Sequence, residues 1–152
     1  MSQRMTNPVM VVPDALPTLL GLSKQISKAG VPQQTLELVH LRTSQINGCA
    51  ACIHMHARDL GTSKETDERF LMAAAWREAT CFSDAERAAL ALAEAVTRLS
   101  DRADPVPDEV WDEAARHYSE QELGGLVMHV GLVNFWNRMN VTTRQVPGAY
   151  GT

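Results

Sequence analysis

The chain has almost no strand signal, no run of basic residues, no apolar stretch of membrane-spanning length and only three cysteines. Each shortage removes a class of protein. Without alternating segments of β-branched and polar residues the sequence does not read as a sheet. Scattered Lys and Arg, within a formal net charge of −4, offer nothing that would track a phosphate backbone, so nucleic acid is not an expected partner. No segment approaches the roughly 18 apolar residues of a membrane span. The N-terminal segment is interrupted by Pro8, Pro13 and Pro17 and has neither a signal-peptide core nor a cleavage pattern. A cytoplasmic protein with no membrane association is therefore expected. Three cysteines in a reducing compartment do not make a disulfide framework; a Cys-x-x-Cys there points to catalysis or to metal.

What remains is the composition of one compact domain, 1–152, with 45% hydrophobic and 21% charged residues. Capping boxes recur, with Thr62 before Glu65, Ser83 before Glu86 and Ser119 before Glu122, each a hydroxyl three residues ahead of a carboxylate. The fold class is all-α, about seven helices, expected near 14–28, 33–47, 49–60, 63–79, 84–99, 108–117 and 120–140. The stretch SDRADPVPDE, with two prolines, is the clearest connector, and the tail RQVPGAYGT reads as irregular. The last helix is nearly continuous in apolar residues through its middle. It is expected to be buried on most sides, as the centre of a bundle or as a subunit interface. Gly124, Gly125 and Gly131 each cost roughly 1 kcal/mol of helix propensity, which suggests close approach of another backbone.

The chemistry concentrates in QINGCAACIHMHARDL. Cys49, Cys52 and His56 stand at i, i+3 and i+7, one face of a helix. Asn47 and Gly48 break the preceding helix, so Cys49 falls near a new helix N-terminus, where partial positive charge favours a thiolate. Cys52 lies one turn before His56, within reach of an imidazole that could take its proton. A dithiol with one attacking and one resolving sulfur suits reduction of a peroxide or a disulfide. Structural zinc normally needs four ligands, and there is no second Cys-x-x-Cys or His-x-x-x-His. Haem attachment of the c type would need histidine where Ile53 stands. Packing by sulfur alone is the bland alternative.

Glu37 is the next candidate. If the chain reverses at Asn47–Gly48, a helical rise of ~1.5 Å per residue puts Glu37 about 16 Å and His56 about 12 Å below the turn. A carboxylate there could fix the tautomer of His56. The apolar flanks TLELVHL leave Glu37 either on an exposed stripe or buried with a partner.

The pattern Glu-x11-Cys-x2-Cys-x3-His, preceded by RTSQING and followed by MAAAWREATCFSDAERAALALAEAVTRLSD and NFWNRMNV, resembles the alkylhydroperoxidase AhpD-like branch of the carboxymuconolactone decarboxylase superfamily over roughly residues 30 to 142. The resemblance implies an all-α AhpD-like bundle assembled into trimers or hexamers. It also implies a thiol-dependent peroxidase or disulfide reductase with no metal or organic cofactor, served by a peroxide substrate and a dithiol or protein reductant. Carried over residue by residue, Cys52 is similar to the peroxide-attacking thiol, Cys49 to the resolving thiol, His56 to the proton acceptor and Glu37 to the acid behind it. Ala51 replaces a histidine that the founding peroxidases carry, so part of the proton relay is missing, and His54 points about 160° from His56 on a helix. The helix dipole favours attack by Cys49; the histidine neighbour and the resemblance favour Cys52, which is the reading adopted. The decarboxylase branch lacks the dithiol, so lactone decarboxylation is not expected. The competing class is a non-catalytic or metal-binding helical oligomer that senses redox state.

Of the other residues, Cys81 reads as a small buried hydrophobe. His40 falls three residues after Glu37 and could join the site, although a surface or packed role is the simpler reading. His117 and His129 read as structural. Trp76, Trp111 and Trp136 read as core or interface anchors. Asn134, Asn137 and Arg138 form a polar stripe expected to satisfy buried backbone or a carboxylate of another subunit.

Overall fold

The computed structural model describes residues 2–59 and 64–148, and among these there are helices and no strands. The order is α1 (Pro8–Val11), α2 (Ala15–Ile26), α3 (Gln33–Ile46), α4 (Ala50–Asp59), α5 (Lys64–Met72), α6 (Asp84–Thr97), α7 (Asp108–His117) and α8 (Glu120–Thr143), with single 3-10 turns at Ala73–Ala75 and Leu99–Asp101. The all-α expectation holds, with eight α-helices among the described residues instead of about seven. The additional helix comes from a misread proline. Pro8 opens α1 behind the Asn7 cap, whose side chain accepts from the Val9 N–H, and Pro17 sits in the first turn of α2. Neither position has an amide that an intrahelical carbonyl would need, so proline costs little there. The helix expected over 63–79 stops at Met72 and tightens into the 3-10 turn. The caps of α6 and α8 form as expected: in each, Ser83 or Ser119 accepts from the third backbone N–H while Glu86 or Glu122 returns the bond. The Thr62 capping box lies outside the described residues.

Helices α3, α6 and α8 pack on one another and hold the core. On one side Leu36, Val39, Leu92, Ala93, Leu126 and Val130 interdigitate; on the other Leu38, Phe70, Trp76, Phe82 and Leu90 form a second cluster. Small residues set the spacing. A Cβ on Gly125 would come within 2.5 Å of the Ala29 Cβ, so α8 meets the end of α2 only because Gly125 has no side chain. Gly124 and Gly131, by contrast, have open space around them, which corrects the expectation of close backbone approach at all three. With them, Val127, Met128 and Phe135 are exposed along one stripe of α8. The helix is therefore buried on one side within this chain, not on most sides.

Polar residues are also built into this core. Glu94 on α6, 4% exposed, accepts from the Arg42 Nε at 2.7 Å and the Trp76 indole at 2.9 Å, and pairs with Arg77 at 2.8 Å. Burial alone would raise its pKa, but the hydrogen bonds from Arg77, Trp76 and Arg42 outweigh it and bring it to about 2.

Candidate active site

The reversal joins a helix stop directly to a helix start, with Asn47, Gly48 and Cys49 between the last residue of α3 and the first of α4. The Cys49 N–H donates to the Ser44 carbonyl at 3.0 Å and the Gly48 N–H to the Gln45 carbonyl at 3.2 Å, with Gly48 at φ +65°. These are the paired bonds of a Schellman stop, which needs the left-handed conformation that glycine adopts without a Cβ clash. Cys49 then serves as the cap of α4: its Sγ accepts from the Cys52 N–H at 3.3 Å, in the position where a serine oxygen usually sits. One turn of helix brings the two sulfurs together, and Cys49 and Cys52 form a disulfide, each residue 1% exposed.

The sulfur of Cys52 faces α8. The Asn137 amide donates to it at 3.1 Å and the Asn140 amide at 3.3 Å. Neighbours orient both donors. Asn47 donates to the Oδ1 of Asn137 at 2.8 Å and to the Oδ1 of Asn134 at 2.9 Å, Asn137 also donates to Ser44, and Asn7 donates to the Oδ1 of Asn140. Two N–H groups aimed at one sulfur favour its anionic form. The expected polar stripe therefore exists, and Asn134 does satisfy backbone, donating to the Val130 carbonyl. Its larger role is to position amides on the dithiol. Asn140 was not singled out from the sequence, and the only hint was its presence in NRMN beside the stripe.

One turn on from Cys52, His56 is buried at 9% exposure. The hairpin brings Glu37 and His56 to the walls of one cavity of about 420 Å³, as the rise along two antiparallel helices predicts. The carboxylate of Glu37 accepts from Gln33 at 3.1 Å, and Glu37 is half-buried, between the two alternatives left open for it. The ring found against His56 is that of His40, edge to face with centroids 3.8 Å apart, and His129 follows at 5.8 Å from His40. Thus His40 does join the site, and His129 lies beside it while its Nε2 donates to the Leu36 carbonyl at 2.9 Å. Burial, then the neighbouring His56 and His129, hold His40 well below the ordinary histidine range, so its ring is neutral at pH 7. Its Nε2 is buried and meets no hydrogen-bond partner among the described residues. Burial likewise lowers His129, against the opposing Leu36 bond. Among the described residues, no three His, Cys, Asp or Glu side chains are grouped to hold a metal ion.

Other expectations are resolved away from the site. Cys81 is exposed, which corrects its reading as a buried hydrophobe; it follows a turn that leaves Phe82, not Cys81, facing the core. His54 is exposed and its ring lies against Gly148, where a Cβ would sit 3.2 Å from it. His117 pairs with Glu113 on the surface of α7. Trp76 is a core anchor, whereas Trp111 is 42% exposed.

Fold and site together define an all-helical protein whose buried dithiol sits on the second arm of a helical hairpin. The chain belongs to the carboxymuconolactone decarboxylase family, whose profile matches residues 13–95. It is 34% identical to the uncharacterized protein YdfG of Bacillus subtilis over 93% of its own length and 94% of that protein's. Its AhpD-like fold matches the crystal structure of ATU0492 from Agrobacterium tumefaciens, a protein of unknown function suggested to be an antioxidant defence protein AhpD. The TM-score is 0.84, with 28% identity over 97% of this chain and 99% of that one. The debrominase Bmp8 is also similar, with TM-score 0.74 and 25% identity over 90% of this chain and 73% of the other.

Proposed function

We propose that this protein is a thiol-dependent oxidoreductase in which Cys49 and Cys52 cycle between dithiol and disulfide to reduce a peroxide, with the reductase chemistry open to a disulfide substrate. The observation that carries the reading is the pair of asparagine amides on the Cys52 sulfur, with His56 one turn away. In the reduced protein those donors stabilise a Cys52 thiolate, and His56 accepts the proton, with Glu37 supporting the imidazolium across the shared cavity. The thiolate attacks the terminal peroxide oxygen, the O–O bond breaks, and the alcohol or water leaves with a proton. Cys52 is then a sulfenic acid, which Cys49 resolves to the disulfide with loss of water. A dithiol or protein reductant restores the pair.

The neighbouring debrominase supports a second use of the same electrons: a thiolate can take a halogen from carbon while the carbon takes a proton, and the second thiol then closes the disulfide with release of halide and a proton. Assembly into a homo-oligomer, a trimer or hexamer in a cytoplasmic setting, belongs to the same proposal. The exposed stripe of Val127, Met128 and Phe135, with open space at Gly124 and Gly131, supports it. Light scattering at micromolar concentration tests the assembly, and a clean monomer defeats it.

The activity test is peroxide consumption with several dithiol donors, in the native protein and in Cys49→Ser and Cys52→Ser. Turnover in the native protein alone, with a trapped sulfenic acid on Cys52 in Cys49→Ser, is the expected result. Trapping on Cys49 in Cys52→Ser instead reverses the roles of the two sulfurs. Stoichiometric zinc with both thiols blocked supports the metal-binding alternative and removes this one.

A further inference from the structure

The two sulfurs face different surroundings. Cys52 is covered by amide donors from α8, while Cys49, together with Asn140, lines a cavity of about 470 Å³ distinct from the one at His56. Ala51, Val141, Val146 and Pro147 give that cavity apolar walls, and Arg4 and Arg144 are its charged residues. No carboxylate lines it, although the chain as a whole carries a net charge of −4. The Arg4 side chain is held by backbone, and Arg144 is exposed. The Arg4 N–H donates to the Thr143 carbonyl and its Nη1 to the Thr142 carbonyl, each at 2.9 Å, which ties the N-terminal segment to the end of α8 and leaves guanidinium donors over. Arg144 follows α8 in the left-handed region, φ +54°. Glycine or asparagine would occupy that position with less strain, so an arginine there invites a functional reason.

We infer that this cavity is where the reductant docks, and that it selects a small thiol carrying a carboxylate. The inference rests on the redox reading above and names the substrate class of its second half-reaction. The reductant's thiolate attacks the Cys49 sulfur from the cavity while its carboxylate lies against Arg4 and Arg144. The Cys49–Cys52 bond breaks, and its electron pair leaves on Cys52, where the Asn137 and Asn140 amides stabilise the departing thiolate. A second equivalent of the thiol attacks the mixed disulfide at the reductant's own sulfur. It releases Cys49, and the two reductant molecules depart as their disulfide. Two thiol protons end on the protein cysteines, and two electrons have moved.

The experiment uses the oxidised full-length protein and three probes of similar size: 3-mercaptopropionate, 2-mercaptoethanol and 2-mercaptoethylamine. Rates of disulfide opening are divided by thiolate concentration and by each thiol's own rate on a small neutral disulfide, which removes its intrinsic nucleophilicity. An iodoacetamide quench followed by peptide mass spectrometry locates the adduct. The expected result is an adduct on Cys49, with the carboxylate thiol about tenfold faster than the ammonium thiol at low ionic strength, roughly the effect of two exposed charge pairs. That ratio should collapse toward one in about 1 M salt, in the doubly substituted Arg4→Gln, Arg144→Gln protein, and substantially in Arg144→Gly, which also relieves the backbone. Equal rates for the three probes, a ratio that survives salt and both variants, or an adduct on Cys52 overturns the docking site. If none of the three thiols opens the disulfide while dithiothreitol does, the docking site fails and the redox cycle stands; if dithiothreitol fails as well, the redox cycle fails with it.

Discussion

Glu94 and the dithiol are both buried polar sites that border α3, through Arg42 and Ser44 respectively, yet they are finished differently. Around Glu94 the carboxylate oxygens meet Arg42, Arg77 and the Trp76 indole, and its pKa falls to about 2. A buried charge that is completely partnered holds one geometry and resists change. Around the dithiol the partners are neutral amides and histidines, His40 Nε2 is left without a bond among the described residues, and cavities open at Cys49 and at His56. That incompleteness suits groups that must gain and lose protons and electrons. The saturated site suits architecture, and the unsaturated one suits the chemistry proposed for it.

The contrast is most sharply tested at the cysteines. Cys49→Ser and Cys52→Ser should each abolish peroxide turnover while leaving the thermal unfolding of the reduced protein little changed. A large loss of stability instead would make the pair part of the scaffold. Next, His56→Gln should slow Cys52 alkylation and turnover by ~10²–10⁴-fold and Glu37→Gln by less. The double variant should be little worse than His56→Gln alone, since groups acting as a unit are not additive. Fully additive losses would make Glu37 a structural carboxylate.

Asn137→Asp keeps the acceptor that Asn47 uses but turns a negative oxygen toward Cys52. Fewer Cys52 sulfurs should then be ionised at neutral pH, and alkylation should fall by about tenfold for each unit of pKa change. Glu94→Gln should do the reverse, costing about 3 kcal/mol of stability by leaving its arginines unbalanced while the dithiol of the folded fraction reacts normally. Denaturant unfolding and alkylation kinetics on the same samples separate these two effects.

Acid distinguishes the sites again. His40 is held below its ordinary value of 6.5, so the unfolded chain binds a proton the folded one refuses. Its contribution is complete above pH 6.5 and is lost as the pH falls below that value. Glu94, depressed from 4.5 to about 2, contributes fully above 4.5 and is lost only as the pH falls toward 2. Unfolding curves against pH should show both steps, with His40→Leu shrinking the upper, which the likewise lowered His129 shares, and Glu94→Gln removing the lower. The smallest effect is expected at the exposed thiol: Cys81→Ser should change turnover and stability hardly at all.

Much of this contrast was legible in the chain where the determinants are local. The capping serines of α6 and α8, the stop at Gly48, and the one-face spacing of Cys49, Cys52 and His56 all act within a turn or two of helix, and the structure keeps them. The partners of those groups come from afar. Asn137 and Asn140 reach Cys52 from 85 and 88 positions along the chain, and nothing in their own neighbourhood says which sulfur they face. Glu94 lies in a helix that reads as an ordinary amphipathic one, and its burial depends on arginines of three different segments. Apolar content also misled at α8, because hydrophobic residues mark surface to be covered without saying that this chain covers it.

The cap at Cys49 also governs where the chain tolerates changes of length. Because one helix ends and the next begins with no residue to spare, one residue inserted between Gly48 and Cys49 would turn α4 by about 100° relative to α3. Cys52 would swing away from Asn137 and Asn140, and every residue would still be present. The stretch between the 3-10 turn at Asp101 and the start of α7 at Asp108 is irregular and exposed at Arg102, Ala103 and Asp104, and can take up an insertion there by bulging into solvent. Kinship to this chemistry is therefore written in angular phase: chains that share the machinery can vary freely in the loop before α7 but must agree, residue for residue, across the hairpin.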